Sequence, residues 1–233
     1  MTAMATQHLI FDADDTLWEN NVHFERAIED FIDVLDHATL SRAEVRAVLD
    51  EIERANAGVH GYGSRAFARN LRQCCERLAE LPLSDDTLAL VTGFGERILS
   101  QEIELIAGVE ETLAALAPRH DLTLMTKGHP EEQRMKIDRS GLAHRFRHAE
   151  VVPEKTADAY LALAASLGLD PARTWMIGNS PKSDVNPALA AGLNAVYIPH
   201  AATWRLEHAE IVHPGGPGRL LEVGRFSELL ERF

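Results

Sequence analysis

Two hydrophobic periodicities take turns along this chain, and each change of period marks an element. The run Leu9-Ile10-Phe11 after His8 is apolar on consecutive positions, the pattern of a short strand buried on both faces. From about Asn20 to about Ile106 no strand pattern intervenes. Phe24, Ala27, Ile28, Phe31, Ile32 and Leu35 keep the spacing of an amphipathic helix. Ser41-Arg42-Ala43-Glu44 is a capping box that opens a second helix, with Val45, Val48, Leu49 and Ile52 on one face. The glycines at 58, 61 and 63 predict a break across Gly58–Gly63. A third helix is expected from Ser64 to Leu78, and a fourth from Ser84 or Asp85 with Leu88, Leu90, Val91, Phe94 and Ile98. This makes a helical insertion of roughly 85 residues, a size that can hold its own core.

Beyond Gly108 the two periods alternate. Helices are expected over about 109–116, 131–139, 156–167 and 186–191. Strands are expected over 122–126, 149–152, 174–178 and 195–198, with a short one at Ile211-Val212. Leu220–Leu230 reads as a closing helix or a loop and helix, and Gly215-Gly216-Pro217-Gly218 as a local turn. Strands alternating with helices argue a parallel sheet covered on both faces.

The ends of the strands carry the chemistry. The first stops in Asp12-Ala13-Asp14-Asp15-Thr16-Leu17-Trp18, three carboxylates within four positions. Asp15 or Thr16 as an acidic helix cap is the plain reading of that cluster. The other strands end differently: Thr126 followed by Lys127-Gly128, then Glu154-Lys155-Thr156, then Gly178-Asn179-Ser180-Pro181-Lys182-Ser183-Asp184. In an open α/β sheet these carboxyl ends are where ligands bind. Carboxylates, a hydroxyl, an ammonium and an amide gathered there suit a phosphate and a hard divalent cation together.

This ordered set resembles the haloacid dehalogenase superfamily, and in particular its phosphatase branch with an α-helical cap inserted after the first motif. The resemblance implies a Rossmann-like parallel-sheet α/β core over residues 1–18 and 107–233, with a helical cap over 19–106. It implies a hinge at Trp18-Glu19-Asn20 and about Ile106-Ala107-Gly108, through which the cap closes and excludes water. It makes Asp12 the nucleophile that forms an aspartyl-phosphate, and Asp14 the acid and base for the leaving oxygen and the attacking water. Thr126 would hold a phosphoryl oxygen and Lys155 would offset charge between nucleophile and phosphate. The implied cofactor is Mg²⁺, on Asp12, Asp14 (through its backbone carbonyl), Asp184 and Asn179. Members commonly have Gly where this chain has Asp15, read here as a local turn or cap residue. They commonly have Asp where it has Asn179, so Asp184 is expected to matter more for the metal. The candidate substrate-binding residues are Thr126, Lys127, Trp18 and the glycine-rich segment with His60, Tyr62 and Arg65. That segment is equally readable as a plain turn between helices, Lys127 and Lys182 as solvated charges, and Trp18 as a packed side chain beside an exposed His129.

The implied activity is hydrolysis of a small phosphorylated metabolite, such as a sugar phosphate or nucleoside monophosphate. Phosphomutase is the alternative on the same scaffold. Dehalogenation stands behind it, because carbon–halogen cleavage needs no acid at position 14. A non-catalytic scaffold is disfavoured by the joint presence of Asp12, Asp14, Thr126, Lys155 and Asp184. No dinucleotide fingerprint follows the first strand and no P-loop appears.

Charge narrows the partners. A formal net charge of −13 disfavours nucleic acid and anionic membranes, and requires local positive charge in any phosphate pocket. The adjacent Cys74 and Cys75 offer neither a disulfide framework nor metal spacing, which fits a reducing cytoplasm. Residues 1–7 lack the pattern of a leader peptide, and no run approaches the ~18 apolar residues of a membrane span. A monomer or homodimer is expected.

Overall fold

The structure, a computed structural model, describes residues 6–213 and 215–233. Most of the stretch read above for a leader, residues 1–5, therefore lies outside the described residues. The chain divides into two compact units, Met1–Asn21 with Ile103–Phe233, and Val22–Glu102.

The first unit is built on six strands: β1 (His8–Phe11), β2 (Asp121–Lys127), β3 (His148–Val152), β4 (Thr174–Gly178), β5 (Asn194–Tyr197) and β6 (Leu220–Glu222). All pairings are parallel, in the order β3-β2-β1-β4-β5-β6. Alternate side chains feed two cores. Leu9, Phe11, Leu122, Leu124, Trp175 and Ile177 pack with Val109, Leu113 and Leu116 of a helix over Val109–Leu116, and with Phe226 and Leu229. Ile10, Met125 and Met176 pack on the opposite face with Tyr160 and Leu163 of the Ala157–Leu167 helix. Burial on both faces is why these strands read as continuous apolar runs. The strand order reverses direction between β1 and β4, and a crevice opens outside the carboxyl ends at such a switch point. The acid cluster after β1 and the Asn179–Asp184 segment after β4 flank that position.

The second unit holds α1 (Asn21–Leu35), α2 (Arg42–His60), α3 (Ser64–Leu78) and α4 (Asp85–Ser100). Their apolar stripes meet in one core that includes Phe31, Leu49, Phe67, Leu71 and Phe94. The capping box closes as expected: the Ser41 hydroxyl accepts the Glu44 N–H, and the Ser41 N–H donates to the Glu44 carboxylate. Ser84 caps α4 in the same manner through the Thr87 N–H. The expected break is shorter than its three glycines suggested, because α2 runs through Gly58 to His60. A helical glycine costs only about 1 kcal/mol. The chain turns at Gly61, whose φ of 69° lies where other residues are strained.

The remaining helices are α5 (Val109–Leu116), α6 (Pro130–Arg139), α7 (Ala157–Leu167) and α8 (Asn186–Ala190). Two further expectations are corrected. Ile211-Val212 is not a strand: Val212 is 58% exposed, and its N–H donates to the Asn186 side chain. The sixth strand comes instead from Leu220–Glu222, expected as the start of a closing helix, and a 3₁₀ segment over Phe226–Glu231 follows it. Between the units the division falls at 21/22 and 102/103, inside the expected 18/19 and 106/107. The Glu19 N–H donates to the Glu104 carbonyl, and the Ile106 N–H to that of Leu17, so these short segments run together as part of the first unit.

Candidate active site

Asp12 continues the ladder one residue beyond β1, its N–H donating to the Ile177 carbonyl. The chain then coils tightly, with Thr16, Leu17 and Trp18 N–H groups all directed at the Ala13 carbonyl. Asp15 takes a left-handed conformation here (φ 60°), tolerable for Asp although glycine is easier. Its carboxylate accepts the Asn20 and Asn21 N–H groups, capping the start of α1, so the local turn-and-cap role is what the geometry shows. Burial, with the Asp14 and Asp12 charges adding to it, pushes the Asp15 carboxyl up to about 7.

Two carboxylate networks diverge from this loop. In the first, Lys155, at the start of α7, donates to Asp12 Oδ1 (2.5 Å) and Asp184 Oδ1 (2.7 Å), all three side chains being at least nine-tenths buried. Burial works against the Lys155 ammonium, and the two carboxylates more than offset it, so its pKa is raised. Asp184 comes from a wide helical turn over Pro181–Val185 and also accepts the Ser180 N–H (2.9 Å). Gly178 makes this approach possible, since a Cβ there would lie 2.2 Å from Asp184 Oδ2. Burial, reinforced by the Asp12 charge and opposed by Lys155, raises the Asp184 pKa. Thr16 Oγ1 lies 2.9 Å from Asp12 Oδ2 and 3.2 Å from Asn179 Oδ1, and the Asn179 side-chain amine donates to Thr203.

In the second network the Asp14 carboxylate accepts from Lys136 (2.6 Å to each oxygen), Gln133 Nε2 (3.0 Å) and the Trp18 indole (2.7 Å). Burial would raise its pKa, but the Lys136 ammonium and these hydrogen bonds prevail and lower it. Gln133 Oε1 in turn accepts the Thr126 hydroxyl (3.1 Å). A third group lies alongside. Lys127 donates to Glu207 (2.6 Å) and Ser183 (3.0 Å), and Ser180 donates to Glu207 (2.6 Å). Burial opposes ionisation of Glu207, yet Lys127 and the serine hydroxyls bring its pKa down to about 2.

The structure thus brings Asp12, Lys155, Asp184 and Asn179 together in one network, and Asp14 with Thr126 in the other. Lys127 and Trp18, expected as substrate contacts, are engaged within the protein. The Lys127 ammonium bridges the end of β2 to Glu207 in a 3₁₀ turn over Arg205–Glu207, and the fully buried Trp18 donates its indole N–H to Asp14. Lys182 donates to the Leu206 carbonyl, away from both networks. His60, Tyr62 and Arg65 stand at the α2–α3 turn of the helical unit. Sequence reading missed Lys136, Gln133, Thr16, Thr203 and Glu207. A Gln and a Lys three apart on the helix just after Thr126 were the available signal for the first two, since such positions share a helix face.

The donor set fits a hard divalent cation. Asp12 and Asp184 share one ammonium, so two buried carboxyl groups converge on a single positive charge. The single Thr16 proton cannot serve both Asp12 and Asn179, so one buried acceptor oxygen lacks a hydrogen from it. Oxygen-only donors carrying excess negative charge are what Mg²⁺ prefers. Asp12, Asp184, Asn179 and the Asp14 backbone carbonyl would hold it; the Asp14 side chain is already engaged. A neighbouring trio, Asp15, Glu19 and His200, places ligand atoms within 4.8 Å of one another. Within it His200 Nδ1 accepts the Ala202 N–H and Nε2 donates to Glu19, while the Asp15 carboxylate accepts the Asn20 and Asn21 N–H groups.

Comparison with known proteins identifies the family. The family model for haloacid dehalogenase-like hydrolases matches residues 6–192. A haloacid dehalogenase-like hydrolase from Xanthomonas campestris has a crystal structure 30% identical to this chain, covering 98% of it and 94% of its own length, with a TM-score of 0.83. The putative hydrolase YfnB from Bacillus subtilis, bound to magnesium, shares the fold at 17% identity, 98% and 99% coverage and a TM-score of 0.69. So does a 2-haloacid dehalogenase from Pseudomonas syringae pv. Tomato, at 20% identity, 97% coverage of each chain and a TM-score of 0.62. Among curated proteins, a phosphoserine phosphatase from Thermus thermophilus is 35% identical over 82 residues, 33% of this chain; the match spans a third of that relative's length. The chain belongs to the haloacid dehalogenase-like hydrolases, and it is a hydrolase.

Proposed function

We propose that this hydrolase is an Mg²⁺-dependent phosphomonoesterase acting on a small phosphorylated metabolite. The observation that carries the reading is a second carboxylate at position 14, held apart from the first by its own cation. An Asp12 oxygen attacks phosphorus and the ester oxygen departs, taking its proton from Asp14. Water then attacks the aspartyl-phosphate, its proton passes to Asp14, and Asp12 is released as carboxylate with inorganic phosphate. Lys155 holds Asp12 in place and offsets charge as the dianion approaches. Thr126 turns its hydroxyl from Gln133 to a phosphoryl oxygen. Bound Mg²⁺ supplies charge neutralisation and orientation of the phosphoryl group.

A dehalogenase has no need of Asp14, because halide leaves without a proton. The magnesium held by YfnB and the partial likeness to a phosphoserine phosphatase both support the phosphatase reading. Discrimination among sugar phosphates, nucleoside monophosphates and similar compounds is assigned to the helical unit, acting as a cap, with His60, Tyr62 and Arg65 as its contacts. A reducing, cytoplasmic setting accords with two buried free cysteines, and no helix among the described residues is long and apolar enough to cross a membrane.

The test is phosphate release from a panel of phosphorylated metabolites, with Mg²⁺ and with chelator, beside Asp12→Asn. Metal-dependent release lost in the variant is expected. Phosphate returned to a second position of the substrate identifies a mutase. Halide release from a 2-haloacid without phosphate release overturns the phosphatase reading.

A further inference from the structure

A carboxylate offers oxygen on both sides, but an amide offers it on one, so a chain with Asn179 beside Asp12 has to control which end of that amide faces the site. Asn179, Thr16 and Thr203 are all buried. Asn179 Nδ2 donates to Thr203 Oγ1 (2.8 Å), and the Thr203 hydroxyl donates in turn to the His200 carbonyl (2.9 Å). With its one proton given to His200, the Thr203 oxygen can only accept, and only the amine end of Asn179 can meet it. Oδ1 is thereby turned to the other side, 3.2 Å from Thr16 Oγ1, which itself lies 2.9 Å from Asp12 Oδ2. The turn that carries Thr203 is fixed as well. Its N–H closes on the His200 carbonyl (3.1 Å), and its carbonyl lies 3.0 Å from His208 Nε2. The Ile198 N–H donates to the carbonyl of Gly178, the residue before Asn179. Gly178 pairs with Tyr197 across β4 and β5, so the end of β5 delivers this turn to the end of β4.

We propose that Thr203 is a positioning residue for the divalent cation and acts through Asn179, holding the amide with Oδ1 toward the site and the amine away from it. The inference rests on the Mg²⁺-dependent reading above. An amine turned toward the cation would set a donor against a positive charge and could not ligate it. A carboxylate at position 179 would present oxygen whichever way it faced, and would need no such partner. Thr203 therefore matters to the site only while residue 179 is an amide, and that dependence separates orientation from a general role in packing the loop. Loss of the hydroxyl removes the acceptor that holds the amine, and the amide is free to turn over. Partners one step removed from a metal typically change its affinity by about 10- to 100-fold.

The experiment is calorimetric titration of Mg²⁺ into the full chain, as wild type, Thr203→Val, Thr203→Ser, Asn179→Asp and the double variant Asn179→Asp with Thr203→Val. Valine is similar in shape to threonine and lacks the hydroxyl. Thr203→Val should weaken Mg²⁺ binding by about 10-fold or more. Thr203→Ser, which keeps the hydroxyl, should stay near wild type. The double variant should bind Mg²⁺ as tightly as Asn179→Asp alone, the rescue that a merely structural role of Thr203 would not give. Should Thr203→Val fold poorly, Thr203→Ala in the same cycle reads the same dependence. Equal weakening with and without Asn179→Asp makes Thr203 a packing residue of its loop and overturns this inference alone. Unchanged Mg²⁺ affinity in Thr203→Val does the same, and both results leave the metal-dependent reading standing. Wild-type protein that takes up no Mg²⁺ overturns that reading and this inference with it.

Discussion

Asp12 and Asp14 leave the same strand two residues apart, and identical side chains end in unlike settings. Asp12 shares the Lys155 ammonium with Asp184 in largely buried surroundings, where two carboxyl groups converge on one positive charge. Asp14 has Lys136 to itself, with an amide and an indole completing its coordination, and its side chain remains 22% exposed. The first setting is deficient in positive charge, which a cation and a phosphoryl group entering together can exploit. The second is balanced and partly open, as a group that exchanges protons with substrate and water requires. On the proposed phosphatase reading, partner sets rather than residue type would separate nucleophile from acid and base.

Perturbing each side tests that separation. The largest effect is expected for Asp12→Asn, with phosphate release falling on the order of 10⁴-fold or more and no phospho-enzyme forming. Asp14→Asn should lower kcat by roughly 10²- to 10⁴-fold, with a greater loss for alkyl than for p-nitrophenyl phosphate, because a poor leaving oxygen depends more on its proton. Equal losses on both esters would remove Asp14 from leaving-group protonation. Lys155→Met should be the costliest change to stability in this comparison, about 3–5 kcal/mol by denaturant unfolding, since it leaves two buried carboxylates facing each other. The matching change on the other side, Lys136→Met, should cost clearly less, because Asp14 keeps two donors and some solvent.

Metal affinity sharpens the first setting further. By calorimetric titration Asp184→Ala should weaken Mg²⁺ binding more than Asn179→Ala, since only the former removes a charge; the reverse order would reassign the principal ligand. The smallest effect concerns the Lys127–Glu207 pair. A Glu207 pKa lowered from about 4.5 to about 2 stabilises the fold above pH 4.5, and the contribution disappears as the pH falls toward 2. It amounts to at most roughly 3 kcal/mol by linkage. Comparing the acid unfolding of wild type and Glu207→Gln should show the two curves converging below pH 3.

The sequence carried the fold where one signal sufficed. Strands buried on both faces announced themselves as apolar runs, and Ser41 and Ser84 marked helix starts with cap chemistry. It failed where local preference and tertiary pairing disagreed. Ile211-Val212 has the better strand composition, but Leu220–Glu222 has the partner. The strand-end residues Asp12, Asp14, Thr126, Lys155, Asn179 and Asp184 were legible because parallel strands deliver their ends to one edge. Lys136 and Gln133 were not, lying mid-helix where a charged residue is ordinarily solvated. Glu207 was still less so, since it ends a three-residue 3₁₀ turn too short to show a period and reaches Lys127 across 80 positions of chain.

The most direct test of the division of labour is chemical trapping during turnover. Wild-type enzyme mixed with Mg²⁺ and a substrate found in the panel is quenched in acid and reduced with borohydride. This converts an acyl phosphate to homoserine and spares free carboxylates. The expected result is homoserine at position 12 alone on peptide mass mapping, and none in Asp12→Asn. Homoserine at position 14, or phosphate release at full rate with no modified residue in any quenched sample, would contradict the assignment of Asp12 as nucleophile and Asp14 as acid and base.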